Sequence, residues 1–245
     1  MKLIIDPGKA LAELALIFIG ITLALAFENW NTDRERRDQE LTLLGELLAD
    51  LQETQSDLQS DISQAEKILK QTEQILRWYS GDDSFTDAIR DLGSVCFSGH
   101  ELFATTTTYE SIKTIGMDLI RNDLIRTKTA QIFEQSLERV YMSENRLFAL
   151  NLDYCWPLAY SNAGFTERST FESGVAFPER AGGIQALTRL PRPQLTNLDE
   201  LRNDAYSRAL ITQNYDYRLR TIGFYKMAEE AISELISSIE TELAN

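Results

Sequence analysis

One stretch constrains this chain more than any other: Ala10 to Trp30, ALAELALIFIGITLALAFENW. From Ala10 to Phe27 it holds a single charge, Glu13. As an α-helix it would reach roughly 27 Å, close to the hydrocarbon thickness of a bilayer, with Trp30 at headgroup level. Leu14, Leu16, Ile17, Phe18, Ile19, Ile21, Leu23 and Leu25 run right round such a helix and leave it no polar face, which argues against a helix of a soluble core. The short basic start (Lys2, Lys9) and Ala24-Leu25-Ala26 also fit a cleavable secretory signal with an A-x-A site. Glu13 lies inside what would be that signal's apolar region, so the preferred reading is one retained transmembrane helix.

The 245 residues leave about 215 beyond that helix, enough for a substantial core. The net charge is -14, and residues 1 to 30 contribute only -1 of it, Lys2 and Lys9 against Asp6, Glu13 and Glu28. The remainder is therefore acidic and repels phosphate backbones, which excludes nucleic acid as an expected partner. Two cysteines, Cys96 and Cys155, are too few for a disulfide framework. Either they form one bridge in an oxidising compartment or they are buried small apolar residues in a reducing one.

Residues 31–80 read as a stalk helix with Gly45 as its only internal glycine and no proline. Leu41, Leu44, Leu48, Leu51, Gln55, Leu58, Ile62, Ala65, Leu69, Thr72 and Leu76 alternate at spacings of three and four, a heptad seam. That stripe suits self-association or packing on the protein's own later helices. Continued backward, the register brings Arg34 and Arg37 onto the seam, a cost unless they are paired.

Residues 81–156 read as a helical domain. Ser80 to Asp83 break the stalk, and Ser84 with Asp87 predicts a cap for a helix to about Val95. Phe97 to Phe103, with the single histidine His100, reads as a loop. Tyr109 to Leu119 follows as a helix carrying Ile112, Ile115 and Leu119. Arg121 to Asp123 predicts a turn. A long helix then runs from Leu124 to about Tyr154, with Ile125, Ile132, Val140, Leu147, Leu150 and Tyr154 on its apolar side, and Pro157 predicts its end. Residues 157–196 hold all but one of the five prolines and read as a long irregular loop, with a short strand around Val175 to Phe177. In 197–245, Asn197 and Glu200 predict the capped start of a final helix burying Leu201, Leu219, Ile222, Ile232, Leu235, Ile239 and Leu243. Tyr206, Tyr215, Tyr217, Phe224 and Tyr225 on it read as core. The expected fold is all-α: membrane anchor (1–30), coiled-coil-like stalk, antiparallel helical bundle and one irregular loop.

Two segments carry a family resemblance. Ala12-Glu13-Leu14 through Gly20-Ile21 to Glu28-Asn29-Trp30-Asn31, and then Thr108-Tyr109-Glu110-Ser111-Ile112-Lys113 with Gly116 and Leu119 to Ile125, resemble an uncharacterised family of small bacterial single-span membrane proteins. Ala12 stands where that pattern has glycine and Glu28 where it has asparagine. The resemblance covers roughly residues 10 to 135 and implies a bacterial membrane protein, without implying a reaction.

Candidate chemistry is sparse. Glu13, near one end of the span, fits an interfacial carboxylate, a contact to another helix, or a cation path. Gly20 and Ala24 form a small-x-x-x-small pair that admits a second helix. Cys96, His100 and Glu101 lack the spacing of a metal site, and His100 is the only imidazole available as a general base. No cofactor, metal or catalytic set is expected. The expectation is a non-enzymatic scaffold or accessory subunit of the bacterial inner membrane, its start cytoplasmic and its large domain periplasmic. Its membrane-helix contacts would be Glu13, Gly20, Ala24 and Trp30, with lipid around them, and a second copy or a larger membrane complex would pack on the seam of Leu41, Leu44, Leu48, Leu51, Gln55, Leu58 and Ile62. The alternative is a small ion-conducting oligomer with Glu13 in the path.

Overall fold

The computed structural model describes residues 7–97, 101–166 and 192–244, and their side chains except those of 7–15, 160, 163–166 and 192–194. His100, the Glu13 side chain and the strand expected at Val175 to Phe177 lie outside those residues.

The fold is helical. Helix α1 runs unbroken from Pro7 to Tyr79, as a stretch free of internal proline allows. It ends where Gly81 takes φ 101°, a backbone that side chains oppose, while the Asp82 and Gly81 amides return to the Arg77 and Trp78 carbonyls. Short helices α2 (Thr86–Arg90) and α3 (Leu92–Phe97) follow. The cap of this region is Asp82, which accepts from the Ser84 amide, and not Ser84 as expected. Helix α4 spans Thr107–Ile115 and stops at Gly116, whose φ of 130° excludes a continued helix. The expected extension to Leu119 fails there, and Ile120 is buried instead of Ile115 or Leu119.

Asn122 accepts from the Leu124 and Ile125 amides and starts α5, Asp123–Gln131. A π-helical turn, Ile132–Ser136, joins α5 to α6, Leu137–Leu150. A second π-helical turn, Asn151–Cys155, joins α6 to α7, Trp156–Ser161. Pro157 thus lies inside a helical run that the sequence reading ended there. The Trp156 amide reaches back to the Asn151 carbonyl, and the wider turn makes room for the proline ring at the carbonyl it would otherwise strike. Strands β1 (Ala163–Thr166) and β2 (Arg192–Leu195) pair antiparallel, Ala163 opposite Leu195. Helix α8 is Leu198–Asn203 and α9 is Ala205–Leu243. The last long helix is capped by Asp204, which accepts from the Tyr206 and Ser207 amides; Asn197 precedes only a short preliminary helix, and its side chain makes no capping hydrogen bond there.

Helix α9 runs back along α1, and α4 to α7 close the other sides. On α1, the buried or half-buried line is Glu40, Leu44, Leu47, Leu51, Thr54, Leu58, Asp61, Ala65, Ile68, Thr72, Ile75 and Tyr79. This corrects the expected seam. Leu44, Leu51, Leu58, Ala65 and Thr72 face inward as expected, but Leu41, Leu48, Gln55, Ile62, Leu69 and Leu76 sit half-buried on its flank. The line turns by one residue because its polar members meet partners from distant parts of the chain. Glu40 accepts from the Arg121 amide at 2.7 Å, and Thr54 Oγ1 accepts from the Thr105 amide at 3.1 Å. Hydropathy ranks Leu41 and Gln55's neighbours by transfer energy and does not register such partners. Leu219, Leu243 and Tyr154, expected in the core, are exposed at 50%, 36% and 51%.

Two apolar clusters fill the bundle. One gathers Leu44 to Leu58 of α1 with Ile112, Ile125, Ile132, Val140 and Ile222 to Ile239. The other gathers Ile68 to Tyr79 with Ile89, Leu92, Val95, Leu158, Leu201 and Leu210. In contrast, Leu16 to Arg36 of α1 are exposed and stand clear of both.

Candidate functional site: a buried polar belt and its cavity

Each helix that crosses the junction of the two clusters carries polar residues in its buried line. On α6 and the following π turn the spacing is Val140, Glu144, Leu147, Asn151; on α9 it is Asn214, Arg218, Thr221, Tyr225. Asp61 lies at the same level on α1, one turn before Ala65. Leu side chains there would join the two clusters into one core. Polar ones instead need partners, and the belt supplies them.

Arg218 is 2% exposed. Its Nε donates to Asn214 Oδ1 at 2.8 Å and one Nη to the Val95 carbonyl at 2.6 Å, near the carbonyl end of α3. Asn214 Nδ2 in turn donates to Asn151 Oδ1 at 2.6 Å. Burial lowers the Arg218 pKa to about 10, so the guanidinium stays charged at neutral pH. Glu144 is 7% exposed. It accepts from the Tyr225 hydroxyl at 2.6 Å and the Leu102 amide at 3.1 Å. Burial raises its pKa to about 6, outweighing those two hydrogen bonds, and the charges of Asp61 and Glu101 add to the rise. Burial first, then the Asp57 charge, also raises Asp61 to about 6. Tyr225 is pushed well above the usual phenol range, by burial first and then by its bond to Glu144, with Arg218 opposing.

A cavity of about 340 Å³ opens onto this belt. Its floor is Glu144, Asn151, Arg218, Thr221 and Tyr225, all buried, and its rim includes Phe97, Phe148 and Leu152, exposed at 39%, 58% and 45%. Trp156 forms part of the wall, its ring 4.0 Å from that of Phe97, with Nε1 donating to the Cys96 carbonyl. Beside it Cys96 and Cys155 form a disulfide, the bridged one of the two states the sequence left open. The cavity can hold a small molecule with an apolar body and charged or hydrogen-bonding groups at its inner end.

Of the candidate set Cys96, His100 and Glu101 singled out from sequence, Cys96 and Glu101 line this cavity, whereas His100 lies outside the described residues. Among the described residues no group of three or more His, Cys, Asp or Glu gathers to hold a metal ion. The membrane-contact residues are far from it along α1. Gly20 has nothing within 4 Å of where a Cβ would stand, and Ala24 and Trp30 are exposed. The Arg34 guanidinium lies 5.9 Å from the Trp30 ring centre. Leu44, Leu51 and Leu58 lie inside the chain's own core, in keeping with the intramolecular packing that the sequence offered beside self-association. Gln55 is half-buried and donates to Glu229 at 3.1 Å. The second resembling segment acts as structure: Tyr109 stacks on Phe133 at 4.3 Å and donates to Glu134 at 2.8 Å, and Lys113 reaches the same carboxylate at 3.4 Å.

Glu144, Asn151, Asn214 and Arg218 escaped the sequence reading. Their signal was present: polar residues at spacings of four and three within otherwise apolar helical lines. Among the described residues, no helix is long and apolar enough to cross a membrane. The described side chains of the apolar run begin at Leu16, and the twelve-residue run to Phe27 falls short of a span of about 20 residues. Compared with protein-family models, with curated proteins and with solved structures, the chain matches none.

Proposed function

We propose that this protein is a membrane-anchored, non-enzymatic helical scaffold or accessory subunit of the bacterial inner membrane, its helical domain on the periplasmic side. One observation carries the reading. Every large apolar side chain from Leu16 to Phe27 is at least 54% exposed, on a helix that continues without a break into the core of the bundle. Twelve residues of bare apolar rod are unfavourable in water, at roughly 25 cal/mol per Å² of apolar surface, and lipid or a partner's apolar helices must cover them. With Ala10 to Ala15 included, the sequence is long enough to span. Trp30 and Arg34, stacked at the end of the run, suit the headgroup region. The disulfide favours an oxidising compartment for the domain.

The unbroken helix makes the tether stiff. A movement of whatever binds the apolar segment is transmitted to the bundle, and the reverse, without a hinge between them. Docking runs through the apolar helix, where Gly20 and Ala24 let another helix approach closely, because the seam further along is covered by α9.

The test is expression of the full chain in a bacterium, followed by alkaline extraction of membranes and protease treatment of spheroplasts. The expected result is a chain that resists extraction and whose domain is digested from outside. Recovery of the intact chain in the soluble fraction would overturn the reading. Replacing Gly20 by Leu is expected to reduce cross-linking to a second copy or to a membrane partner.

A further inference from the structure

The cavity at the polar belt has an inner end of both charge signs and an apolar mouth. Arg218 presents a buried cation and Glu144 a buried carboxylate, and Tyr225 lies between their influences: its hydroxyl donates to Glu144, and the Arg218 charge acts on it. Glu101 adds a second carboxylate to the lining. Outward, Phe97, Phe148 and Leu152 leave large apolar surface at the rim of the cavity, with Trp156 in its wall. A ligand bearing only a carboxylate would meet Arg218 but be repelled by Glu144 and Glu101. One bearing only an ammonium would meet the carboxylates and be repelled by the guanidinium. A ligand with both satisfies the floor, and an apolar side chain on it covers the rim.

We infer that this cavity is a binding site for a small zwitterion with an apolar side chain, the chemistry of a free α-amino acid. The carboxylate pairs with Arg218, the ammonium sits between Glu144 and Glu101, and the side chain lies against Phe97, Phe148 and Leu152. Two features of the fold support a built site. The volume of about 340 Å³ is that of a pocket for one small ligand. The second π-helical turn, a costly local geometry, is what delivers Asn151 to the floor and Cys155 to the bridge beside it. The site is independent of how the chain is held at a membrane.

The experiment is calorimetric titration of the full chain in detergent micelles with three probes: L-phenylalanine, 3-phenylpropionate, which lacks the ammonium, and phenethylamine, which lacks the carboxylate. L-Phenylalanine is expected to bind, and each analogue to bind about tenfold or more weakly. Phe148→Asp, at an exposed rim position, is expected to abolish binding while leaving the thermal midpoint in place. Glu144→Gln keeps both acceptor contacts and removes the charge, so it is expected to weaken L-phenylalanine about tenfold and to narrow its advantage over 3-phenylpropionate. The inference is overturned if none of the three probes binds at millimolar concentration, if all three bind alike, or if Phe148→Asp leaves binding unchanged in a folded protein.

Discussion

Arg37 and Glu242, 205 residues apart, close the end of the bundle nearest the apolar segment: one Arg37 Nη donates to Glu242 Oε1 at 2.9 Å. The other donates to Glu40 at 2.8 Å, and Asn122 donates to the second oxygen of Glu242 at 3.0 Å. The arginine that looked costly on a seam between two copies is thus paired inside one chain. These contacts hold the Arg37 pKa above its ordinary value, through Glu40 and then Glu242.

Removing that clasp is expected to fray the last turns of α9. Glu242→Gln should lower stability by about 0.5–1 kcal/mol, as for other partly exposed pairs. Amide hydrogen exchange is expected to speed up from about Ser237 onward and to be unchanged near Tyr225. Uniform acceleration along α9 would show that the clasp does not act locally.

The one-residue turn of the buried line on α1 makes a sharp comparison. Leu47→Ala, at a fully buried position, is expected to cost 2–5 kcal/mol in chemical denaturation, and Leu41→Ala, half-buried on the flank, about 1 kcal/mol. Equal costs, or a larger one at Leu41, would favour the seam read from the sequence over the line in the structure.

Reduction of the Cys96–Cys155 bridge opens a loop of 59 residues' separation. The chain-entropy argument puts its contribution at about 4 kcal/mol, and strain or residual structure reduces that figure. Unfolding in urea with and without a phosphine reductant measures it. The floor of the cavity leans on this corner through the Val95 carbonyl, so reduction is expected to quench or shift the fluorescence of Trp156 before global unfolding.

Glu144 sits at about 6 against an ordinary 4.5, so the folded state holds its proton more tightly than the unfolded chain. Its contribution is fully present below about 4.5 and is lost as pH rises through about 6, a change of about 2 kcal/mol. Glu66 and Glu242 act in the opposite sense. Lys226 holds the first, and Asn122 and Arg37 the second, below the ordinary carboxylate range, so their contributions are present above 4.5 and lost as pH falls further. Stability is therefore expected to increase from neutral to mildly acidic buffer and to decrease again in strong acid. Glu144→Gln is expected to raise stability at neutral pH and to flatten the upper limb. A variant that destabilises equally at every pH would refute the buried-charge account.

The sequence by itself determined what local physics controls. Residues 7 to 79 hold no internal proline and form one helix, and Gly81 ends it within the break that Ser80 to Asp83 predict. The apolar run fixed where bare helix would need cover. Only the tertiary structure decided which edge of the α1 stripe turns inward, because spacings of three and four fit two adjacent edges equally, and the choice rests on distant partners such as the Arg121 amide at Glu40. The cysteine pairing, the passage of a helix through Pro157 and the meeting of the belt's polar groups were likewise beyond the sequence. Each depends on which groups from remote segments meet, and a buried Arg218 is stable only where Asn214 and the Val95 carbonyl are there to receive it.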